Sequence, residues 1–193
     1  MPRKPLTDRS LRAIKTRKKL FYNAAKLINA YGYDNVTIEE ICKKAGVSVG
    51  AFYHYFNSKS DIMVELFKQI DYYYEETVAP EFSGDVAADI DTFFRYYAKF
   101  HVEQGHEPTG TILKTQGEFF LDKDRYMYVC LHRLVNAAIA DGMFGDGTTE
   151  DLVVDYLLIV ARGLLFDWVL ARGKYDLAAK MDEYIALAKK SLR

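Results

Sequence analysis

Between Thr37 and Lys59 the chain reads TIEEICKKAGVSVGAFYHYFNSK, twenty-three residues holding a helix start, a helix, a glycine turn, a short second helix and the start of a third. That spacing is the helix-turn-helix, the unit that lays a short helix in the major groove of DNA. Thr37 can accept from the backbone N–H of Glu40 while the Glu40 carboxylate reaches back to the N–H of Thr37, a capping box that sets where the first helix begins. Ile38, Ile41, Cys42 and Ala45 then form one apolar stripe at i, i+3, i+4 and i+7. Gly46 stops the helix, because glycine takes the left-handed C-cap without steric penalty. Val47 plugs the turn and Ser48 is a good N-cap for the second helix. In that helix Phe52, Tyr55 and Phe56 share the inward face. Ser58 caps the next helix, with Asp61 as its capping-box acid.

The opposite face of the second helix carries Val49, Gly50, Tyr53 and His54. Gly50 lets the backbone approach a duplex closely. Val49 and Ala51 suit thymine methyl groups, and His54 suits a base edge or a phosphate. Ser48 and the first free N–H groups suit a phosphate, because a helix N-terminus carries partial positive charge. Tyr53 offers its hydroxyl to the DNA backbone and Lys59 adds charge at the far edge. The expected DNA contacts are therefore Thr37, Ser48, Val49, Gly50, Ala51, Tyr53, His54 and Lys59. The competing reading is a three-helix subdomain that packs and does nothing more.

Charge separates these readings. The net charge of −1 says nothing about nucleic acid, but its distribution does. Residues 1–60 hold twelve Lys and Arg against four acids, a balance of +8, and the remainder carries −9. A basic head on an acidic body is the electrostatic footprint of DNA binding joined to self-solubilising bulk. The basic arm at Pro2, Arg3, Lys4 and Pro5 reads either as a tail or as extra phosphate or minor-groove contact.

The motif resembles the DNA-binding domain of TetR-family transcriptional regulators. Their usual pattern is Thr, then Ile-Ala, Ala-Gly-Val-Ser, Gly, Tyr-x-Tyr-Phe, Lys and finally Leu. The chain has Thr37, Ile41, Ala45-Gly46-Val47-Ser48, Gly50, Tyr53, Tyr55-Phe56 and Lys59. It departs at Cys42, where small Ala is usual, and at Ile62, where Leu is usual; both exchanges fall in the expected core. The resemblance covers roughly residues 10–65. It implies an all-α fold of about nine helices. An N-terminal helix-turn-helix domain is expected over 1–57, and a helical ligand-binding and dimerisation domain over 58–193.

Periodicity fits that plan. A first helix is expected over 10–31, with Phe21, Ala24, Ala25, Ile28 and Tyr31 inward and Arg12, Lys15, Lys18 and Lys19 outside. A helix from Ser58 runs to about Val78, where Pro80 stops it; in the family this helix joins head to body and transmits the ligand signal. Further helices fit 85–104, 109–121, 123–141, 149–172 and 177–192, with Gly105, Pro108, Gly142, Gly145, Gly147 and Gly173 as breakers between them. Tyr156, Val160, Gly163 and Leu164 lie on a penultimate helix apolar around much of its circumference. Met181, Tyr184, Ile185 and Ala188 stripe the last helix. The resemblance implies that these residues form a two-fold four-helix bundle between two copies; the alternative is that both helices complete a monomer core.

A small-molecule pocket is expected among the aromatic middle helices, with Phe94, Tyr97, His101, Gln116, Glu118, Phe120, His132 and Trp168 as candidate lining. If Glu118 or Asp167 faces an aromatic cavity, a cation is favoured; otherwise the ligand class stays open. There is no P-loop, dinucleotide fingerprint, nucleophile elbow or Cys-x-x-Cys, so no catalytic residue and no cofactor is expected. The string HVEQGH looks metal-like, but on a helix His101 and His106 diverge by about 140°, too far to share an ion. No metal is expected. Cys42 and Cys130 fall in different helices, which suits a reducing cytosol. The start of the chain has no apolar signal-peptide core. The apolar stretch 152–170 is interrupted by Asp155, Arg162 and Asp167, so no membrane span is expected. The sequence thus reads as a bacterial cytoplasmic regulator, a homodimeric repressor on a palindromic double-stranded DNA operator, released by an unidentified small molecule. The alternative is a helical protein-interaction module that keeps the motif as a packing unit.

Overall fold

The computed structural model describes residues 8–115 and 121–193 of the chain. Every regular element among them is helical: α1 (Asp8–Tyr31), α2 (Ile38–Ala45), α3 (Val49–Tyr55), α4 (Lys59–Tyr73), α5 (Val86–Gln104), α6 (His106–Thr115), α7 (Tyr126–Ala140), α8 (Glu150–Leu170) and α9 (Leu177–Ser191). A π turn at Tyr74–Val78 and a 3-10 turn at Ala79–Glu81 follow α4. The chain divides into two compact units, Met1–Leu66 and Phe67–Arg193.

The first unit is built as its caps dictate. Thr37 Oγ1 accepts from Glu40 N at 3.2 Å, and Glu40 Oε2 accepts from Thr37 N at 2.8 Å. Gly46 ends α2 at φ 64°, a left-handed conformation that a side chain would strain. The Ser58–Asp61 box is also formed, with Ser58 Oγ donating to Asp61 Oδ1 at 2.6 Å and accepting from Asp61 N at 3.2 Å. Those hydrogen bonds, with the one from Asn57 N, hold the Asp61 carboxyl below its ordinary range. Leu20, Phe21, Ala24, Ile28, Val36, Ile41, Ala45, Phe52, Phe56 and Ile62 are buried. Tyr31 was expected inward but is 64 % exposed, because it lies on the last turn of α1, just before Gly32.

In the second unit α5 packs chiefly on α9 and α7, while α8 packs on α9, α7 and α6. Ile90, Phe93, Tyr97, Leu131, Val135, Val154, Leu157, Leu165, Met181 and Ile185 are core. Two helix starts differ from expectation. Gly105 breaks α5 at φ 91°, yet α6 begins at the next residue rather than after Pro108. Pro108 is the third residue of α6, where its missing N–H is one of the orphan donors of the first turn. Helix α7 begins at Tyr126 rather than near Lys123, and its N-cap residue Arg125 supplies no side-chain cap. The cap comes from α4: Asp71 Oδ1 accepts from Met127 N at 3.1 Å.

Candidate DNA-reading surface and effector region

Helix α3 is anchored from one side only. Phe52 and Phe56 are buried and pack ring to ring at 5.6 Å, and Tyr55 is half-buried. On the other side Tyr53 is 55 % exposed, and Ser48, Gly50 and His54 are exposed too. Val49 and Ala51 are half-buried at the margin. Ser48 Oγ accepts from Ala51 N at 3.1 Å, so that hydroxyl already completes the helix start. Thr37 likewise spends its hydroxyl locally, donating to Glu40 Oε2 at 3.2 Å.

Gly50 is informative because the fold does not require it. Its backbone is helical, and a Cβ there would meet nothing closer than Ser48 Oγ at 3.9 Å. Glycine inside a helix costs about 1 kcal/mol relative to alanine. Among the described residues no close contact calls for a glycine there.

Lys59 has a different place from the one read from the motif. Its ammonium donates to the carbonyl oxygens of Tyr33 at 2.6 Å and Val36 at 2.7 Å, and lies 4.0 Å from the centroid of the Tyr33 ring. It ties the start of α4 to the connection between α1 and α2, with two of its N–H groups used inside the chain. Motif reading also passed over other cations near the turn. Lys43 and Lys44 are exposed on the last turn of α2, and Lys19 Nζ lies 3.5 Å from where a Cβ on Gly46 would stand. The charge split was the sequence signal for them.

In the second unit Phe94, Tyr97, His101 and Trp168 are buried, while Gln116, Glu118 and Phe120 lie outside the described residues. Tyr97 and His101 are brought together, their rings 4.7 Å apart, and His101 Nδ1 is 3.3 Å from Thr109 Oγ1. Burial, with a smaller push from Arg125, drives the His101 pKa down to about 3, so its imidazole is neutral at ordinary pH. Burial also lifts Tyr97 to about 12, against the opposing pull of Arg125 and Arg162. The other two candidates are engaged elsewhere. His132 Nδ1 pairs with Glu150 on the first turn of α8, and Trp168 Nε1 donates to Tyr175 O at 3.2 Å. Asp167 faces outward, accepting from Tyr175 Oη at 3.0 Å with Lys180 at 3.8 Å, and so lines no aromatic cavity. No motif or periodicity marks Arg125, which is buried and bound through Nε to Asp71 at 3.0 Å.

The expected interface residues divide. Leu164, Met181, Ile185 and Ala188 are buried within the chain itself and cannot face a second copy; they are corrected to core. Val160 is half-buried, and Tyr156, Gly163 and Tyr184 are exposed. The apolar face that α8 turns outward is instead Leu152, Tyr156, Ile159, Gly163, Phe166 and Leu170, with Tyr184 and Leu187 on α9. On α8 these residues repeat in steps of four and three, the seam of a left-handed supercoil. Within the seam, a Cβ on Gly163 would meet nothing within 4 Å.

A helix-turn-helix head with one solvent-facing reading helix, carried by a chain helical among its described residues, is the build of a transcription regulator. Residues 21–66 match the model of bacterial regulatory proteins, tetR family. Over 183 residues the chain is 27 % identical to the transposon Tn10 TetC protein of Escherichia coli, covering 89 % of this chain and 88 % of that one. It is 24 % identical to the fatty acid metabolism regulator protein of Bacillus subtilis, covering 85 % and 89 %. Its fold matches that of FadR from Bacillus subtilis in complex with stearoyl-CoA, with a TM-score of 0.68 at 19 % identity over 91 % of this chain and 99 % of that chain. The head thus matches the TetR family of bacterial regulatory proteins, and along most of its length the chain is similar to regulators of that family. Among the described residues no helix is long and apolar enough to cross a membrane.

Proposed function

We propose that the protein is a homodimeric repressor that reads a palindromic operator through α3 and is released by a small molecule bound in the second unit. The functional boundary is placed at residue 57, with the DNA-binding domain before it. The supporting observation is a pair of helical glycines, Gly50 on α3 and Gly163 on α8, for which the described residues show no internal need. Each sits on an outward face, where the missing side chain allows another molecule to come close. At Gly50 that molecule is DNA, with Tyr53 and His54 beside it. At Gly163 it is a second copy, whose α8 seam covers Ile159 and Phe166. A two-fold dimer suits successive major grooves if its two reading helices stand about 34 Å apart.

Phosphate contacts are assigned to Ser48, Tyr53 and the exposed lysines near the turn; Thr37, whose hydroxyl is spent on Glu40, is assigned to capping α2. Base contacts are assigned to Val49, Ala51 and His54, and Lys59 is assigned to holding the head together. The effector region is centred on Tyr97 and His101. A bound acyl-CoA is a property of the FadR relative, and it makes acyl thioesters the first ligands to try here. Fluorescence anisotropy with the DNA upstream of the chain's own gene tests the reading. Saturable binding that survives excess unrelated DNA and has the stoichiometry of two chains per site is expected. Equal affinity for any duplex, or none, would sink it and favour the protein-interaction reading.

A further inference from the structure

Helix α4 belongs to both units: its first residues complete the head and its last lie in the second unit. Asp71, on its final turn, makes two contacts of different kinds. Oδ1 accepts from Met127 N at 3.1 Å, and Oδ2 accepts from Arg125 Nε at 3.0 Å. One carboxylate thus caps α7 and neutralises a guanidinium whose side chain is 7 % exposed. A negative charge at a helix N-terminus is favourable, and a buried ion pair holds only while its geometry is good. The next residues of the chain are anchored as well, since Tyr74 is fully buried and donates its hydroxyl to Phe93 O at 2.6 Å. Arg125 is also felt electrostatically by Tyr97 and His101, the two candidate effector residues that the fold brings together.

We infer that the Asp71–Arg125 pair is the latch by which the effector region governs the end of α4, making Asp71 a positioning residue for operator binding that touches no DNA. A charge-assisted bond of this length is lost on a shift of about an ångström. Displacing Arg125 from the Tyr97–His101 side therefore releases α4 and the start of α7 together. This rests on the regulator reading above.

Asp71→Asn separates the two roles of the carboxylate. The amide oxygen still accepts from Met127 N, while the charge that holds Arg125 is gone. In the full chain this variant is expected to shift operator affinity at least tenfold with an unchanged salt slope, because no phosphate contact is altered. Arg125→Gln should shift it similarly, and the double variant should add nothing further. Operator affinity within twofold of wild type for Asp71→Asn overturns the proposal. So does a loss that merely tracks a lower melting temperature and vanishes on cooling, or multiplicative losses in the double variant. If Asp71→Asn does not fold, Asp71→Glu, which keeps the charge but displaces it, is read against the same limits. Hydrogen exchange on the DNA-free protein adds a readout independent of the operator. Faster exchange in both 68–78 and 125–130 is expected, and a change confined to 125–130 reduces Asp71 to a cap and overturns the latch. Wild-type protein that binds none of its upstream DNA sinks the regulator reading instead, and the exchange pattern then decides the latch alone.

Discussion

Gly50 and Lys59 show how two letters of one motif can differ in what they do for the fold: Lys59 is tied into it and Gly50 is not. Leucine at position 50 restores helix propensity and meets open space. Gly50→Leu is therefore expected to keep or raise the melting temperature while weakening operator binding at least tenfold, read by calorimetry and anisotropy on one preparation. An affinity equal to wild type would remove close backbone approach from the account. Lys59→Ala should do the reverse. Losing two hydrogen bonds from a charged donor costs about 2 kcal/mol of stability, seen in urea unfolding, and the salt slope of DNA binding should stay as it was. His101 sets an acid limit. Its folded pKa of about 3 lies below the unfolded value of 6.5, so its contribution is complete above pH 6.5 and drains as the pH falls toward 3. The loss at pH 5 is on the order of 2 kcal/mol. In His101→Gln the stability curve between pH 6.5 and 4 should flatten; an unchanged curve would mean that the buried imidazole does not drive acid unfolding.

At the scale of the helix, what was legible in sequence is what is local. The α2–α3 unit and the start of α4 follow from Thr37, Gly46, Ser48 and Ser58, whose caps act within four residues. The start of α7 was not legible, because its cap is Asp71, fifty-six residues away. The start of α6 was misread because Gly105 and Pro108, two breakers, flank the one turn in which both are tolerated. Helix α8 is apolar around much of its circumference, and periodicity alone could not say which residues its own chain covers. The structure divides them, with Leu164 at 7 % exposure against 61 % for Ile159 and 55 % for Phe166. Ile159→Glu and Phe166→Glu should therefore sediment as monomers with the helical circular dichroism of wild type. Leu164→Glu, which buries an unpaired charge, should instead lose helix content. Dimers persisting in both exposed-face variants would move the interface off α8.

Across the whole molecule, charge and shape sort the work. The +8 carried by residues 1–60 concentrates cations on the head, while the acidic remainder opposes indiscriminate adhesion to nucleic acid. Operator affinity should accordingly fall by roughly a thousandfold or more between 50 and 200 mM salt if a dimer makes six or more phosphate contacts. A decline of less than tenfold would mean far fewer. Family and fold class were readable from the first sixty residues because the motif is short-range chemistry. The candidate effector region was outlined only loosely by sequence, because aromatic residues look alike whether they line a cavity or fill a core. Of the candidate lining residues, Tyr97 and His101 stand ring to ring at 4.7 Å, while the Trp168 indole donates to Tyr175 O. Phe52 and Phe56 are buried and hold the helix, while Gly50, Tyr53 and His54 are exposed, Tyr53 and His54 resting edge-on against the neighbouring rings of Phe52 and Tyr55. On the proposed reading, the DNA address is therefore open to redesign without disturbing the scaffold that carries it.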